Sequence, residues 1–455
     1  MKNKKRLSAI VFLSCVLFMS NTQAQNWDWA QSAGGKEVDY ATGIVNDVNG
    51  NVYVVGSFNG TATFGDKQLT SPGYYDIFIA KYSPTGKLIW VSQAGGSAAD
   101  EANGITLGAD NKIYLTGYFS GSANFGSINL VSKGDRTFFV AKYDMDGNPV
   151  WVQSGGGEQS GFGKAIASDN KGNLFVTGIF NSNATFKNTV LKSKGEEDIF
   201  VANYTTDGDL RWIKRIGGNG RDEATSIAAD VNGNTYITGW FSGMADFGKI
   251  NLTSDGNDDI FTAKYNSKGE EVWAKQGGGY NGVDRSYGIK VDAQGNTYIT
   301  GSIIGTAKFE STSLKSVGTD DCFLVKYNSD GMLQWAKQTS GKNSEIGRAI
   351  SLDASGNIFV CGDYNSTFVT NPTQSSVGDW DVFVIKYNSK GNAVGANRAG
   401  GEGYDRPIAM SIDKNNNCYI TGVYEKTCNF GKQQLTNQGN SDIFIAKTKA
   451  FDPVQ

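Results

Sequence analysis

Tryptophan recurs along this chain at an almost constant spacing, and no other sequence feature restricts the fold as strongly. Six tryptophans are separated by 61, 61, 61, 61 and 62 residues, and a glycine takes the seventh position 60 residues later. The series is Trp29, Trp90, Trp151, Trp212, Trp273, Trp335 and Gly395. A fixed period of this length with strand-like content is typical of a propeller or a solenoid built from similar units.

The sequence pattern of each unit predicts four strands. A short strand of small residues leads through an Asp-x-x-Gly-Asn turn, such as Asp230 to Asn234, into a strand that carries aromatic-x-x-Gly, such as Tyr236 to Gly239. Glycine and asparagine supply the positive φ that tight hairpins need. We expect a loop next, often containing Ala-x-Phe-Gly (Ala62 to Gly65), then a phenylalanine strand and finally the tryptophan strand.

The two ends of the repeat complement each other. The array begins with a tryptophan strand at residues 27–32 and ends after a phenylalanine strand at residues 442–447. Pairing these fragments would complete one blade and hide both sheet edges, which otherwise invite aggregation. We therefore expect an all-β fold, a closed seven-bladed β-propeller with four antiparallel strands per blade. Its domain would span residues 25–455, with the last blade completed by the N-terminal strand.

The first 24 residues read as a secretory signal peptide. Lys2, Lys4, Lys5 and Arg6 precede an apolar stretch, and small residues precede a cleavage point after Ala24. We expect export to the periplasm, the cell surface or the medium. No other stretch has the roughly 20 apolar residues of a membrane span.

Charge and cysteine content restrict the partners. Removing the four cations of the signal peptide from 42 leaves 38 Lys and Arg against 45 Asp and Glu, a net charge of −7. An acidic chain without a basic stripe is a poor nucleic-acid binder. Cys322, Cys361, Cys418 and Cys428 lack the spacing of a zinc site. Buried thiols are expected, with a Cys418–Cys428 disulfide as the alternative.

Two resemblances follow from these motifs. The sequences Gly-Asn-x-Tyr-x-x-Gly, Ala-x-Phe-Gly and Asp-Ile-Phe-x-Ala-Lys-Tyr resemble the SBBP-type β-propeller repeat of bacterial exported proteins. That resemblance implies a propeller in the envelope or outside the cell, and no defined activity. The segment from Ala80 to Trp90 is also similar to the tryptophan-docking repeat of quinoprotein dehydrogenases, with Tyr82 in place of its aspartate. This second resemblance implies that the tryptophan locks neighbouring blades together.

The chain contains no histidine. This excludes Ser-His-Asp and Cys-His nucleophilic sites, histidine acid–base chemistry and His-ligated zinc. A pair of carboxylates would still suffice to cleave a glycoside. A catalytic pair should be singular, however, whereas almost every carboxylate here recurs from unit to unit.

One recurring set of carboxylates lies just before the first strand of the units. Its members are Asp39, Asp100, Asp222, Asp284, Glu345 and Asp405. A second set opens the phenylalanine strand (Asp76, Asp198, Asp259, Asp321, Asp381 and Asp442) and falls on the same face. Each carboxylate is expected to accept backbone N–H bonds from its own loop. The alternative is a ring of Ca²⁺ ligands, and we expect no other metal or cofactor.

The loops that enter the first strands differ from one unit to the next, and loops on a rigid scaffold are where binding usually occurs. Tyrosine, tryptophan and arginine are the residue types that anchor interfaces. The candidates are Tyr40, Tyr118, Arg221, Trp240, Tyr280, Arg285, Tyr404 and Arg406.

These observations favour an exported, monomeric, non-enzymatic binding or scaffold module that uses its loop-rich face. The sequence does not distinguish between a protein and a glycan as its partner. The alternative function is a carboxylate-dependent enzyme that acts on polysaccharide. It would require a deep axial pocket with two non-repeating carboxylates, one of which has a raised pKa.

Overall fold

The structure is a computed structural model, and it describes residues 26–169, 171–280, 282–339, 341–365, 367–368, 374–448 and 451. The predicted signal peptide, residues 1–24, lies outside these residues. All regular elements of the described ranges are β-strands. Within the same ranges, no helix has the length and apolarity that a membrane crossing needs.

Four kinds of strand recur, and we number the units by their first strands. The first strands are Tyr40–Asn46, Glu101–Leu107, Gly161–Ser168, Asp222–Ala229, Arg285–Val291, Ser344–Leu352 and Arg406–Ile412. The second strands are Val52–Phe64, Ile113–Phe119, Asn173–Phe180, Thr235–Phe241, Thr297–Ile303, Ile358–Asn365 and Cys418–Tyr424. The third strands are Lys67–Tyr82, Thr137–Tyr143, Asp198–Thr205, Asp259–Tyr265, Asp321–Tyr327, Asp381–Tyr387 and Asp442–Thr448. The fourth strands are Leu88–Gly96, Pro149–Gly156, Leu210–Gly218, Glu271–Gly278, Leu333–Thr339, Ala393–Gly401 and, at the start of the chain, Trp27–Gly35.

The predicted loop that carries Ala-x-Phe-Gly is a short hairpin in most units. The hairpin strands are Ser122–Phe125 and Ile128–Val131, Asn183–Phe186 and Thr189–Lys192, Met244–Asp246 and Asn251–Thr253, Thr306–Phe309 and Thr312–Lys315, Thr367–Phe368 and Gln374–Ser375, and Thr427–Phe430 and Gln433–Thr436. In unit 1 the second and third strands continue through this region and pair Phe64 with Lys67.

The hairpin adds to the four antiparallel strands that were expected in each blade and that every unit contains. It pairs with the last residues of the preceding unit's fourth strand, as Gly95 with Asn124 and Gly96 with Ala123. Several sheets therefore have six strands, in the order first, second, third, fourth and the two hairpin strands. Each segment has only about four residues, which is why the sequence indicates a loop.

Adjacent strands within a unit are antiparallel, and the apolar core lies between the sheets of consecutive units. One cluster joins Val55 and Ile79 of unit 1 to Leu115 and Phe139 of unit 2. Sheets that stack face to face in repeating units, without helices, define a β-propeller fold.

The strand at the start of the chain pairs with the strand at its end. Trp27–Gly35 lies antiparallel to Asp442–Thr448, with Ala30 opposite Ala446. An apolar cluster also places Val54 of unit 1 against Tyr419 and Ile443 of unit 7. The predicted complementarity of the two fragments is therefore present as a hydrogen-bonded pair.

The four cysteines of the described residues are free and buried. Cys418 opens a second strand, and Cys428 takes the place of the hairpin alanine. Both side chains are fully enclosed. The expected buried thiols are observed, and the alternative disulfide is not formed.

Five of the docking tryptophans, Trp29, Trp90, Trp151, Trp212 and Trp273, donate a hydrogen bond to the next unit. The Nε1–H group of Trp90 donates to the carbonyl of Met145 at 3.1 Å, and that of Trp273 donates to the carbonyl of Ser329 at 3.2 Å. The indole covers the glycine of that turn: a Cβ on Gly331, whose φ is +78°, would lie 2.8 Å from the ring of Trp273. Glycine is therefore required there for both its conformation and its lack of a side chain.

Trp273 offers a test of this docking. Trp273→Ala removes a buried indole, and we expect it to lower the free energy of unfolding by about 3–5 kcal/mol. Trp273→Phe keeps a ring but loses the N–H donor, which should cost about 1 kcal/mol plus a small packing loss. Urea unfolding followed by far-UV circular dichroism measures both values.

The matched control is Trp380→Ala, because Trp380 is only half-buried and packs on Tyr404 rather than on a neighbouring turn. A loss at Trp380 equal to that at Trp273 would contradict a special role for the docked tryptophan.

Candidate functional site

The carboxylates before the first strands tie two distant segments together. Asp39 is fully buried, and its two oxygens accept the N–H groups of Gly35 at 2.7 Å and Asn59 at 3.0 Å. Asp100 does the same with Gly96 at 2.7 Å and Ser120 at 3.1 Å. Each carboxylate thus joins the end of the preceding fourth strand to the end of its own second strand.

A carboxylate of the second set faces this residue across a glycine. A Cβ on Gly34, whose φ is +149°, would lie 2.6 Å from Oδ1 of Asp442 and 3.0 Å from Oδ2 of Asp39. Gly217 lies in the same way between Asp198 and Asp222. A side chain would be crowded between the two acids, and glycine takes this position in every unit except one, where the sequence has Ser340.

The joint between units 2 and 3 lacks both carboxylates of such a pair. Gly161 occupies the position of the first carboxylate, and Thr137 of unit 2 occupies the position of the second. Both acids are lost at one joint and retained together at the other six. The two positions therefore behave as one structural device.

Burial dominates the titration of these carboxyl groups. It raises the pKa to about 7 for Asp39 and Asp100, although their N–H donors act in the opposite direction. The same cause raises the pKa of Glu345 and Asp405 to about 8, helped by a neighbouring carboxylate. Asp222 and Asp284 complete the set, each with a pKa of about 7.

The carboxylates of Asp39 and Asp100 accept hydrogen bonds from backbone N–H groups. Among the described residues, no three Asp, Glu, Cys or His side chains are grouped closely enough to hold a metal ion. The N–H donors come from both flanking strands, so each carboxylate bridges more than its own loop.

These pKa values predict a pH-dependent stability. The ordinary value of an aspartate is 3.8, so folding raises the pKa, and the folded state binds more protons than the unfolded state between about pH 4 and pH 7. The stabilising contribution is therefore complete at low pH and is lost as the pH rises through about 7. We expect a higher melting temperature at pH 5.5 than at pH 8.

Two variants isolate the effect. Asp100→Asn should reduce this dependence on pH, whereas Asp207→Asn, at an exposed turn position, should leave it unchanged. Equal stability at both pH values in the unmodified protein would contradict the assignment.

Among the candidate binding residues, Trp240 differs most from expectation: it is buried, whereas an interface anchor should be exposed. Its side chain is only 4% exposed. The guanidinium groups of Arg221 and Arg285 are 5.2 Å and 4.6 Å from the ring centroid. Cations packed on an indole gain electrostatic attraction, and this group joins units 4 and 5.

Both arginines of this stack are fixed by carboxylates. Nε of Arg221 lies 2.5 Å from Glu197, and Arg285 contacts Asp258 at 2.5 Å and 2.9 Å. Arg221 is exposed and Arg285 is half-buried. Tyr280, in the loop before this strand, is 82% exposed and extends the surface outward.

Tyr118 is also buried, contrary to the expectation of an exposed residue. Its hydroxyl donates to Glu101 at 2.5 Å, and its ring packs on Phe162. Tyr40 is half-buried and packs against Tyr75, with ring centroids 5.6 Å apart.

Tyr404 and Arg406 form a third group. The guanidinium of Arg406 lies 4.7 Å from the ring centroid of Tyr404. The ring of Trp380 also packs on Tyr404, with ring centroids 6.2 Å apart. Arg406 is 3.7 Å from the buried carboxylate of Asp363, which also binds Arg348 at 2.5 Å and 3.1 Å.

These residues surround one position whose residue type varies between units. We call the residues directly after the first carboxylate position the rim, and all of them are partly exposed. The rim residues are Tyr40, Glu101, Phe162, Glu223, Arg285, Ile346 and Arg406. The repeated framework therefore presents a varied set of aromatic, aliphatic, acidic and basic side chains, in which only Glu and Arg occur twice.

A cavity lies next to the rim. It has a volume of about 170 Å³, and all seven first strands line it. Arg348, Tyr287 and Lys164, each of which lies two positions after a rim residue in the chain, contribute to the wall of the cavity. Sequence reasoning missed Arg348, Tyr287 and Asp363, although each replaces a small or uncharged residue found in most units.

The comparison with protein families agrees with the repeat. Residues 211–241 match the model of the SBBP β-propeller repeat. This segment covers the fourth strand of unit 3 and the first two strands of unit 4. The repeat type predicted from the sequence is confirmed, and the chain is a β-propeller repeat protein.

Two relatives and one solved structure are similar over long stretches. An uncharacterized WD repeat-containing protein of Acanthamoeba polyphaga mimivirus is 22% identical over 93% of this chain and 38% of its own length. Regulatory protein FlaEY of Caulobacter vibrioides is 26% identical over 47% of this chain and 24% of its own length. This chain thus matches well under half of either relative. Polysaccharide lyase Uly1 has a TM-score of 0.50 at 10% identity, with 90% of each chain covered, and shares the fold alone.

Proposed function

We propose that this chain is a closed seven-bladed propeller that is exported and acts as a binding or scaffold module. Closure is supported by the joint between units 7 and 1, which repeats the contacts of the other joints. Asp442 faces Asp39 there, as Asp198 faces Asp222 elsewhere. Trp29 docks on the carbonyl of Pro84 at 3.1 Å.

One observation carries the binding function: the residues that vary between units gather at the rim, whereas the residues that repeat are buried. Rigid strands hold the rim side chains in place, and loops on such a scaffold are a common location for binding sites. Arg221 and Arg285, which pack on the ring of the buried Trp240, provide a preorganised cationic surface. Such residues are frequent at the centre of interfaces.

Binding is favoured over hydrolysis of a polysaccharide. In the described residues, the carboxyl groups with a raised pKa are all members of the two repeated sets. They are buried within the joints between units, where Asp39 and Asp100 accept backbone N–H groups and Asp76 accepts bonds from Ser71 and Gln93. The non-repeating carboxylates Glu101 and Glu223 are bound to Tyr118 and Lys164. The partner is a protein or a glycan that contacts the rim.

The rim arginines test this function. Residues 25–455 are immobilised and used to capture partners from the native envelope and culture fluid, with proteins and glycans both read out. Arg285→Ala and Arg406→Ala should each reduce retention of the partner at least about tenfold, since truncating an interface arginine often costs 2 kcal/mol or more.

Lys268→Ala and Lys390→Ala are the matched controls. Both lysines are exposed in turns at the opposite end of the sheets, and their loss removes the same charge without touching the rim. Equal retention by all four variants would contradict the rim as the binding surface. Cleavage of a retained glycan would establish the enzymatic alternative.

Export has its own test. The chain is expressed with its first 24 residues in a Gram-negative host, and the N-terminus of the exported protein is determined. We expect Gln25 as the first residue, because the small residues before it suit signal peptidase. An uncleaved chain that stays in the cytoplasm would contradict export.

A further inference from the structure

The charged residues that line the central cavity are all cations. They are Lys164, Lys290 and Arg348, and no Asp or Glu of the described residues lines the cavity. The chain as a whole has a net charge of −3. Lys164 is paired with Glu223 and Arg348 with Asp363, so among the described residues Lys290 is the cavity cation that lacks a carboxylate partner.

Lys290 is the most informative of these residues. In the described part of the chain its ammonium group has neither an ion pair nor a hydrogen bond. Its side chain is exposed to the solvent that the cavity holds, and the protein around the cavity lowers the pKa of the ammonium group. An accessible ammonium group without an anionic partner is free to form a charge-assisted hydrogen bond with a bound anion.

A second excess of positive charge lies beside the cavity. Arg348 and Arg406 share the single carboxylate of Asp363, at 2.5 Å and 3.7 Å respectively. Asp363 is fully buried and accepts two bonds from Arg348. Burial and the nearby charge of Arg348 lower the pKa of Arg406. One guanidinium charge therefore remains uncompensated next to the cavity.

The rest of the wall suits a small polar group rather than a large apolar ligand. Tyr287 lines the cavity, with its ring 5.2 Å below the guanidinium of Arg348. Ile44, Ile166 and Met410 form part of an apolar floor. A volume of about 170 Å³ accommodates a small oxyanion or a single sugar together with some of its water.

We propose that the central cavity is an anion site that binds a small oxyanion, either free in solution or carried as the acidic group of a sugar. Lys290 and Arg348 bind its oxygen atoms through charge-assisted hydrogen bonds. The site is separate from the partner proposed for the rim, because Lys290 and Arg348 are not rim residues. Failure of either proposal leaves the other intact.

The experiment is isothermal titration of purified residues 25–455 in a buffer free of small carboxylates and phosphate. The probes are D-galacturonate, its neutral counterpart D-galactose, acetate and inorganic phosphate. We expect saturable binding of at least one anion with a Kd of about 1 mM or tighter, and none of galactose. Tightest binding of galacturonate identifies a sugar acid, whereas tighter acetate or phosphate identifies a free anion.

Lys290→Met is the principal variant, since Lys290 has no acidic partner that its removal would leave unpaired. We expect affinity for the anion to fall at least about tenfold, as the loss of a hydrogen bond to a charged group does. Lys290→Arg should retain binding. Lys308→Met, at an exposed hairpin position, is the control, and thermal melting checks that each variant is folded.

The proposal is overturned if no anion binds saturably, or if Lys290→Met binds as the unmodified protein does. Equal binding of galactose and galacturonate would also overturn it, because the recognition would then not depend on charge.

Discussion

The structure depends on a buried carboxylate that stands before the first strand of six units. In Asp39 and Asp100 this group accepts N–H bonds from the end of one unit's fourth strand and from the end of the next unit's second strand. Carboxylate acceptors make stronger hydrogen bonds than neutral groups, so burial is tolerated. Because the bonds cross from unit to unit, each carboxylate positions a blade relative to its neighbour.

The tryptophan docking acts at the opposite end of the same joint. Trp90 bonds to the turn of the next unit, and its ring covers a glycine there. Two devices thus fix most blades at both ends, and other positions are free to vary. That separation explains how a repeated framework presents a rim and a cavity wall with residues, such as Arg348 and Tyr287, that differ from those of most units.

The repeat period in the sequence predicts much of the fold. The tryptophan spacing, the aromatic-x-x-Gly strands and the Asp turns identify the four kinds of strand, and the complementary ends predict the pairing of Trp27–Gly35 with Asp442–Thr448. These features depend on local patterns and on one long-range rule, the avoidance of open sheet edges.

Other features depend on contacts between units that spacing alone does not reveal. The bridging hairpins pair with the preceding unit over only two residues, and Trp240 is buried because arginines from two units cover it. The cations of the central cavity, Lys164, Lys290 and Arg348, come from three units and lie 58 to 184 residues apart in the chain. Only the substitution of repeated small residues by Lys164, Tyr287 and Arg348 signals them in the sequence.

Hydrogen exchange of the glycine amides is the most direct test of the proposed ring. The N–H groups of Gly35, Gly96 and Gly218 donate to Asp39, Asp100 and Asp222, and we predict similar strong protection for all three. Gly157 should exchange faster, because Gly161 stands where its carboxylate would be. Rapid exchange at Gly35 alone, as expected for a fraying first strand, would contradict a ring whose ends are joined like its other blades.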